Sequence, residues 1–298
     1  MSEARISEFY SVVAETSRVV GVSLARERVW PVLAAYGHVM ASAVISFRVQ
    51  TGPRGADDLD CRWTMLPADL DPYGVAVSEG FARETGHPVD GLSAEIHRAF
   101  PVGGYGFDFG VVGGFKKTWT FFPAAVPQPV ARLAELSSMP SSVAGNLAFF
   151  ERYGVADIVN TVGIDYPKRT VNLYFNPPSP GFFRPEGLRA FLGEAGLPEP
   201  SEGLLRFCER AFGVYVTLNW DSPTIDRVTF AVKTTDPLGL PVEAGPGIGK
   251  LVESAPYPAG DQYVYGVSVT PRGEIHKLQS YYQWHARVES MLRAVDAG

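Results

Sequence analysis

The sequence predicts an α+β fold: a ten-stranded antiparallel β-barrel with a solvent-filled lumen, ringed by α-helices and forming one domain over residues 1–298. Three observations predict it. The hydrophobic period switches repeatedly between that of a helix and that of a strand. The order helix, then hairpin, recurs five times. The strand faces not needed for packing helices carry cations interleaved with aromatic rings.

Helices open the chain, because Ile6, Phe9, Tyr10 and Val13 share one face at i, i+3, i+4 and i+7, as do Val29, Val32, Leu33 and Tyr36. The period then falls to two. Ile45, Phe47 and Val49 alternate with Ser46, Arg48 and Gln50, and Leu59, Cys61, Trp63 and Met65 with Asp58, Asp60, Arg62 and Thr64. Residues 45–50 and 58–65 are therefore a predicted hairpin turning at TGPRGAD. Leu92, Ile96 and Ala99 mark a helix before strands near 104–122 that turn at VVGG. Val143, Leu147 and Phe150 precede strands within 156–176 turning at DYPKR. Leu205, Cys208 and Phe212 precede strands within 214–233 turning at WDSPT, and a segment around 241–255 precedes strands within 262–282 turning at TPRGE. Trp284, Val288, Met291, Leu292 and Val295 read as a closing helix.

Five ααββ-like units spaced by roughly 50 to 60 residues are repeat-like organisation without sequence identity between units. Ten hairpin-linked strands expose edges, and closing the sheet into a barrel removes them. The apolar faces Val171, Leu173, Phe175 and Val214, Val216, Leu218, Trp220 match the helix stripes, so the helices belong outside. Strand 115–122 fits poorly, since Lys116, Thr118 and Thr120 make its helix-facing side polar.

Composition narrows the function. Lys plus Arg total 26 against 32 Asp plus Glu, a net charge of −6, with no basic run, so nucleic acid is not an expected partner. No stretch of about 18 apolar residues and no basic-then-apolar leader appears, which predicts a cytoplasmic protein that does not engage membranes. Cys61 and Cys208 lack metal or redox spacing and read as reduced. The histidines at 38, 87, 97, 276 and 285 lack paired-ligand spacing, and His276 alternates away from Lys277 toward the helices. No GxSxG elbow appears, GPGIGK at 245–250 departs from a phosphate loop at Ala244 and Leu251, and DDLD (Asp57, Asp58, Asp60) has the wrong spacing for a helical metal motif.

Period two also lists the lumen face: Arg48; Asp58, Asp60 and Arg62; Lys117, Trp119 and Phe121; Lys168, Thr170, Asn172 and Tyr174; Tyr215, Thr217 and Asn219; Arg227 and Thr229; Lys277, Gln279 and Tyr281. Six lysines stand beside twenty arginines, and three of the six fall on this face in company with Trp or Tyr. A solvated face rarely mixes so many rings with its charges. Gathered cations require an anion, because each unpaired buried charge costs several kcal/mol. Rings beside it stabilise a cation through their negative faces. A molecule that splits into diphosphate and carbocation, an allylic prenyl diphosphate, needs both.

The segments GHPVDGL (86–92), GGFKKTW (113–119), DYPKRTVNLYF (165–175), FGVYVTLNW (212–220) with IDR (225–227), and KLQSYY (277–282) resemble, in order and over the whole chain, the soluble bacterial aromatic prenyltransferases of the ABBA or PT-barrel family. The resemblance implies transfer of a dimethylallyl or geranyl group from an allylic diphosphate to an electron-rich aromatic acceptor, a hydroxynaphthalene, phenazine or phenol, in secondary metabolism. It implies diphosphate contacts at Lys117, Lys168, Asn172, Tyr215, Arg227 and Lys277, with Lys117, Arg227, Lys277 and Tyr215 acting on the leaving group. It implies an acceptor pocket at Trp119, Asn160, Tyr174, Phe212, Gly213, Gln279 and Tyr281. Asp60 matches the carboxylate that holds magnesium in metal-using members. Arg62 beside it and Arg48 on the next strand are expected to neutralise the diphosphate instead, so no cofactor is expected and Mg²⁺ should be dispensable. A monomer is expected. Two other functions stay open at this point: a barrel that only binds an aromatic ligand, and a hydrolase acting on the same donor.

Overall fold

The computed structural model describes residues 3–52, 58–175, 181–257 and 262–284. Ten antiparallel strands close into one barrel in the order β1-β10-β9-β8-β7-β6-β5-β4-β3-β2, so that every strand except at the closing seam pairs with its sequence neighbour. The strands are β1 (Val44–Gln50), β2 (Asp60–Leu66), β3 (Gly104–Gly110), β4 (Gly114–Phe121), β5 (Val159–Asp165), β6 (Thr170–Phe175), β7 (Ala211–Asn219), β8 (Arg227–Thr234), β9 (Tyr263–Thr270) and β10 (Gly273–Gln283). The seam pairs β1 with β10, Arg48 opposite Gln279 and Gln50 opposite Lys277. Closure leaves no edge for another chain to extend.

Helices precede each hairpin: α1 (Glu3–Val20) and α2 (Arg26–Tyr36); α3 (Pro72–Ser78) and α4 (Val89–Ala99); α5 (Val130–Ala134), α6 (Ser141–Gly145) and α7 (Leu147–Arg152); α8 (Pro185–Glu194) and α9 (Glu202–Cys208); and α10 (Pro246–Ser254). The short helices α3 and α5 carry too few turns for a periodic signal, and with α8 they are additions to the sequence-based expectation; the helix expected through Val143, Leu147 and Phe150 is split into α6 and α7, and Phe212, expected on a helix with Leu205 and Cys208, lies on β7. The predicted closing helix beyond Trp284 lies outside the described residues, as does Asp57. GPGIGK contributes the start of α10, whose Ile248 and Leu251 are buried.

The layer between helices and barrel is where the apolar area goes. Phe9 of α1 meets Phe47 of β1 and Trp63 of β2 at 6.0 and 5.9 Å. Tyr36 of α2 stacks on Phe107 of β3 at 4.0 Å, Phe150 of α7 meets Phe175 of β6 at 5.5 Å, and Phe207 of α9 meets Tyr265 of β9 at 5.8 Å. Each ring removed from water stabilises the fold by roughly 1.5–3 kcal/mol. His276 faces this layer too, its Nδ1 3.3 Å from the Tyr265 hydroxyl. Cys61 and Cys208 are buried free thiols.

Two details depart from strict alternation. Register shifts between Trp63 and Leu66, where Met65 adopts φ 61°, so Leu66 rather than Met65 takes the next buried outward position. A second bulge lies opposite Asp108 and Phe109, with Lys117 paired to Asp108 and Phe115 to Phe109, which leaves Lys116 as the extra residue. A bulge re-aims a side chain. Lys116 therefore does not face the helices: its Nζ lies 2.5 Å from Asp58 and 2.6 Å from Asp60. Phe115 takes the outward place, 6.1 Å from Phe107, and Thr118 is satisfied there by the Tyr166 hydroxyl at 3.0 Å. Of the polar outer face predicted for this strand, the bulge removes Lys116 and one hydrogen bond satisfies Thr118, while Thr120 is buried with its hydroxyl unpartnered.

Candidate active site

Inside the barrel the side chains sort by level. Lys117 on β4 pairs across to Asp165 on β5, Gly163 to Asn172 on β6, Asn172 to Thr217 on β7, and Thr217 to Arg227 on β8. Asn172 is the hub: its Oδ1 accepts from Thr217 Oγ1 at 2.8 Å and from Arg227 Nη2 at 3.4 Å, and its Nδ2 donates to the Gly163 carbonyl at 3.4 Å. Lys277 on β10 completes the ring of cations. Its Nζ donates to Ser268 at 2.9 Å, and Ser268 shares a 2.6 Å hydrogen bond with Thr229. Lys168 stands at the rim on the β5–β6 turn, its side chain 56% exposed and 3.8 Å from Asp165. Gly163 has a steric reason to be glycine, since a Cβ there would meet Lys117 Cε at 2.9 Å and the Trp119 ring at 3.0 Å.

The cations are held under strain of charge. Burial drives Lys117 well below the ordinary lysine range; Asp165 opposes this, and Arg227, Arg48 and Arg62 add to it. Burial drives Lys277 down likewise, joined by Arg227, Arg48, Lys117 and Lys168. Lys168 and Arg227 are lowered as well, again chiefly by burial. A bound diphosphate reverses the sign of that environment and returns these pKa values upward. Binding inorganic pyrophosphate is therefore expected to take up protons at pH values just below the ordinary lysine pKa, where the free lumen has released them. Calorimetry in two buffers of different ionisation enthalpy measures that uptake; proton release, or none, would remove the lysines from the anion site.

One step further along β4, β6 and β7, and two steps along β10, the lining turns aromatic. Trp119 donates through Nε1 to the Tyr174 hydroxyl at 2.8 Å, and the Tyr174 and Tyr215 rings lie 4.3 Å apart. Tyr281 sits edge-on to Trp284 at 4.6 Å, and burial pushes its phenol up to about 12, so it is a neutral hydroxyl. Tyr174 and Tyr215 are raised by burial as well. Tyr174, Tyr215, Arg227 and Lys277 all retain accessible surface although strands enclose them on every side. A packed interior would leave none; this one is lined. Gly213 lies against Tyr215, and the β7 bulge that includes Phe212 falls between Ala211 and Gly213. Asn160 occupies the matching bulge on β5, its carbonyl accepting from Phe122 N at 2.9 Å.

An ion chain lines the other wall. Arg48 donates to Asp60 Oδ2 at 2.5 Å and approaches Asp108 Oδ2 to 2.9 Å, while Arg62 lies 3.4 Å from the same Asp108 oxygen and donates to Gln279 at 2.7 Å. Lys116 takes the remaining Asp60 oxygen. Burial would raise Asp60, but Arg48 and Lys116 hold it well below the usual carboxylate range. Asp108, fully buried with one oxygen unpartnered, is instead raised, chiefly by burial. Arg48 and Arg62, which the sequence reading placed on the diphosphate, stand on this wall beside Asp60 and Asp108. Lys116, Asp108, Gly163 and Ser268 are site residues that the sequence reading missed. Asp108 had a signal, a lone carboxylate between Phe107 and Phe109 at lumen parity; Lys116 had none, because a bulge defeats the alternation rule.

Residues 4–295 match the model of the family described as Aromatic prenyltransferase Orf2. The chain belongs to that family. The enzyme is 56% identical over 300 residues, the full length of both chains, to the 5,10-dihydrophenazine-1-carboxylate 9-dimethylallyltransferase of Streptomyces anulatus. It is 45% identical to the flaviolin linalyltransferase of Streptomyces virginiae, covering 97% of this chain and 95% of that one. It is 44% identical to the furaquinocin biosynthesis prenyltransferase of a Streptomyces strain, covering 94% and 91%. The fold is shared with a 5-dimethylallyl tryptophan synthase from Streptomyces coelicolor at TM-score 0.54 and 11% identity, over 91% of this chain and 92% of that one. The chain is thus an aromatic prenyltransferase built on a ten-stranded barrel. No helix among the described residues is long and apolar enough to cross a membrane.

Proposed function

We propose that this prenyltransferase moves a dimethylallyl group from dimethylallyl diphosphate to a ring carbon of a reduced phenazine carboxylate, without a metal ion. The observation that carries the donor half is the gathering of Lys117, Arg227 and Lys277 inside the barrel, near enough for their charges to repel one another and with Arg227 on Asn172, together with Lys168 at the rim and Trp119, Tyr174, Tyr215 and Tyr281 further along the same strand faces. The full-length 56% identity to an enzyme named for that donor group and acceptor supports the other half.

In this reading the allylic C–O bond breaks with its electron pair going to the diphosphate, whose new charge falls on Lys117, Lys168, Arg227 and Lys277. Preorganised donors aimed at developing charge are each worth roughly 10²- to 10³-fold in rate. Trp119, Tyr174 and Tyr281 shield the allylic cation from water and face it with their π electrons. The electron-rich ring closes the C–C bond, and the ring proton leaves to the diphosphate oxygen freed by ionisation.

Magnesium does not fit the donor set. Asp60, the carboxylate at the metal position of related enzymes, already has Lys116 on one oxygen and Arg48 on the other. These two fixed charges stand where a hydrated dication would, and Mg²⁺ prefers several oxygen ligands it does not share with cations. Product mass spectrometry over a panel of dimethylallyl and geranyl diphosphate against 5,10-dihydrophenazine-1-carboxylate, flaviolin and 1,6-dihydroxynaphthalene, with and without EDTA, tests all parts. The expected best pair is the C5 donor with the phenazine, unchanged by EDTA. Turnover that disappears with chelator and returns only with Mg²⁺ overturns the metal-free reading; a C10 donor on flaviolin as the best pair overturns the substrate reading.

A further inference from the structure

We propose that Asp165 is a positioning residue for the donor, an internal counter-anion that keeps the facing lysines charged while the lumen is empty. This rests on the diphosphate reading of the lumen and adds to it a group that no step of the transfer uses. Register places it. Asp165 on β5 is the direct partner of Lys117 on β4, and period two turns both side chains inward. Directly opposed residues on one sheet face have Cβ atoms about 4.5–5.5 Å apart. The β5–β6 turn adds a second cation. Lys168 donates its backbone N–H to Asp165 Oδ1 at 3.1 Å and brings its Nζ to 3.8 Å from Oδ2.

The Asp165 side chain is only 10% exposed, a costly place for a carboxylate unless cations face it. It is the foremost of the charges that favour the protonated forms of Lys117 and Lys168, and it bears in the same sense on Arg227. The other groups around Lys117 repel it or are engaged elsewhere. Arg227 on β8, Arg48 on β1 and Arg62 on β2 repel it, as does Lys277 on β10. Asp108, opposite Lys117 on the β3 side, has Arg48 at 2.9 Å and Arg62 at 3.4 Å. Lys116, the neighbour of Lys117, lies on Asp58 and Asp60, and Asp60 bears on Lys168 only after Asp165. Asp226, which acts on Arg227, accepts from Asn219 at 2.6 Å.

The wall of Arg48, Arg62 and Lys116 therefore carries its own carboxylates, whereas Lys117 and Lys168 depend on Asp165. A site of cations alone would attract an anion most strongly but would not keep its protons, because burial among like charges favours neutral lysine. Asp165 supplies the missing negative charge until the diphosphate replaces it. Arg227 needs no such help, since a guanidinium stays protonated.

The test is the pH dependence of inorganic pyrophosphate binding, by calorimetry, for wild type, Asp165→Asn and Asp165→Glu, beside steady-state kinetics. Affinity falls as pH rises through the lysine pKa values of the empty lumen. In Asp165→Asn that fall is expected roughly 1–3 pH units lower, the effect of removing an adjacent opposite charge, and binding takes up more protons in the interval between the two falls. Asp165→Glu should restore part of the shift. The alkaline limb of kcat/KM, which reports the free enzyme, should move with it. That of kcat, which reports the loaded enzyme, should stay in place because the donor's own charge then holds the lysines protonated. If Asp165→Asn is too unstable to assay, Lys277→Met/Asp165→Asn removes a repelling cation together with the carboxylate, and its limb should still lie below that of Lys277→Met alone. Equal losses of kcat and kcat/KM at every pH would mean that Asp165 only shapes the β5–β6 turn, and would overturn its assignment. Wild type that binds no pyrophosphate removes the diphosphate reading and the role of Asp165 with it; wild type that binds, with an unmoved limb in the variants, removes Asp165 alone.

Discussion

Lys277→Met is expected to lower kcat/KM by roughly 10²- to 10³-fold, the worth of one preorganised donor at a developing anion, while the free enzyme becomes more stable. The two effects share one cause. The charges surrounding Lys277 are Arg227, Arg48, Lys117 and Lys168, all repulsive, and its named hydrogen-bond partner is the neutral Ser268. Removing that ammonium relieves repulsion in the empty lumen, and Ser268 stays satisfied by Thr229. A gain of about 1 kcal/mol raises Tm by roughly 2–4 °C in a protein near this size. The pH dependence follows from the sign: a lysine whose folded pKa is lowered has stability that rises with pH between its folded and unfolded values. Wild type should therefore approach the variant's stability as pH climbs toward the ordinary lysine pKa. Thermal unfolding against pH, beside steady-state kinetics, checks both halves. A destabilised variant that retains turnover would mean that Lys277 is a structural charge.

Alternation was a sufficient guide to this site wherever strands are regular. Lys117, Trp119, Asn172, Tyr174, Tyr215, Arg227, Lys277, Gln279 and Tyr281 face one interior because their strands run without a bulge between them, and period two then needs no tertiary knowledge. It fails where one extra residue enters. Lys116 and Lys117 are adjacent in sequence, and alternation sends them to opposite faces. The bulge opposite Asp108 brings both inside. Met65 fails for the same reason. Asp108 was legible, since a carboxylate inside GYGFDFG has no solvent face to occupy once the strand is buried on both sides. What one strand cannot reveal is pairing. Arg48 and Arg62 read as free cations in sequence, and only the barrel's register brings Asp60 and Asp108 against them. The helices obeyed the same limit: α1, α2 and α4 span enough turns to show a stripe, whereas α5 and α6 have five residues each and owe their existence to the strands they cover.

Asp60→Asn is expected to destabilise the protein by roughly 3 kcal/mol, the lower end for breaking a buried ion pair, because two cations lose a shared counter-charge while each keeps a second carboxylate. Arg48 retains Asp108 and Lys116 retains Asp58. The side chain of Asp60 is 6% exposed, so solvent screens little of the loss. A carboxyl whose folded pKa is depressed contributes stability that is full above its unfolded pKa of about 3.9 and fades as pH falls through the folded value. The gap between wild type and variant should therefore be constant from neutral pH to about pH 5 and narrow in acid. Denaturant titrations across that range give the curve directly. Kinetics separate the ion chain from a metal site. If Asp60 only anchors Arg48 and Lys116, the variant loses stability with the same indifference to EDTA as wild type. If Asp60 binds Mg²⁺, neutralising it should spare stability and impose a higher Mg²⁺ requirement for turnover.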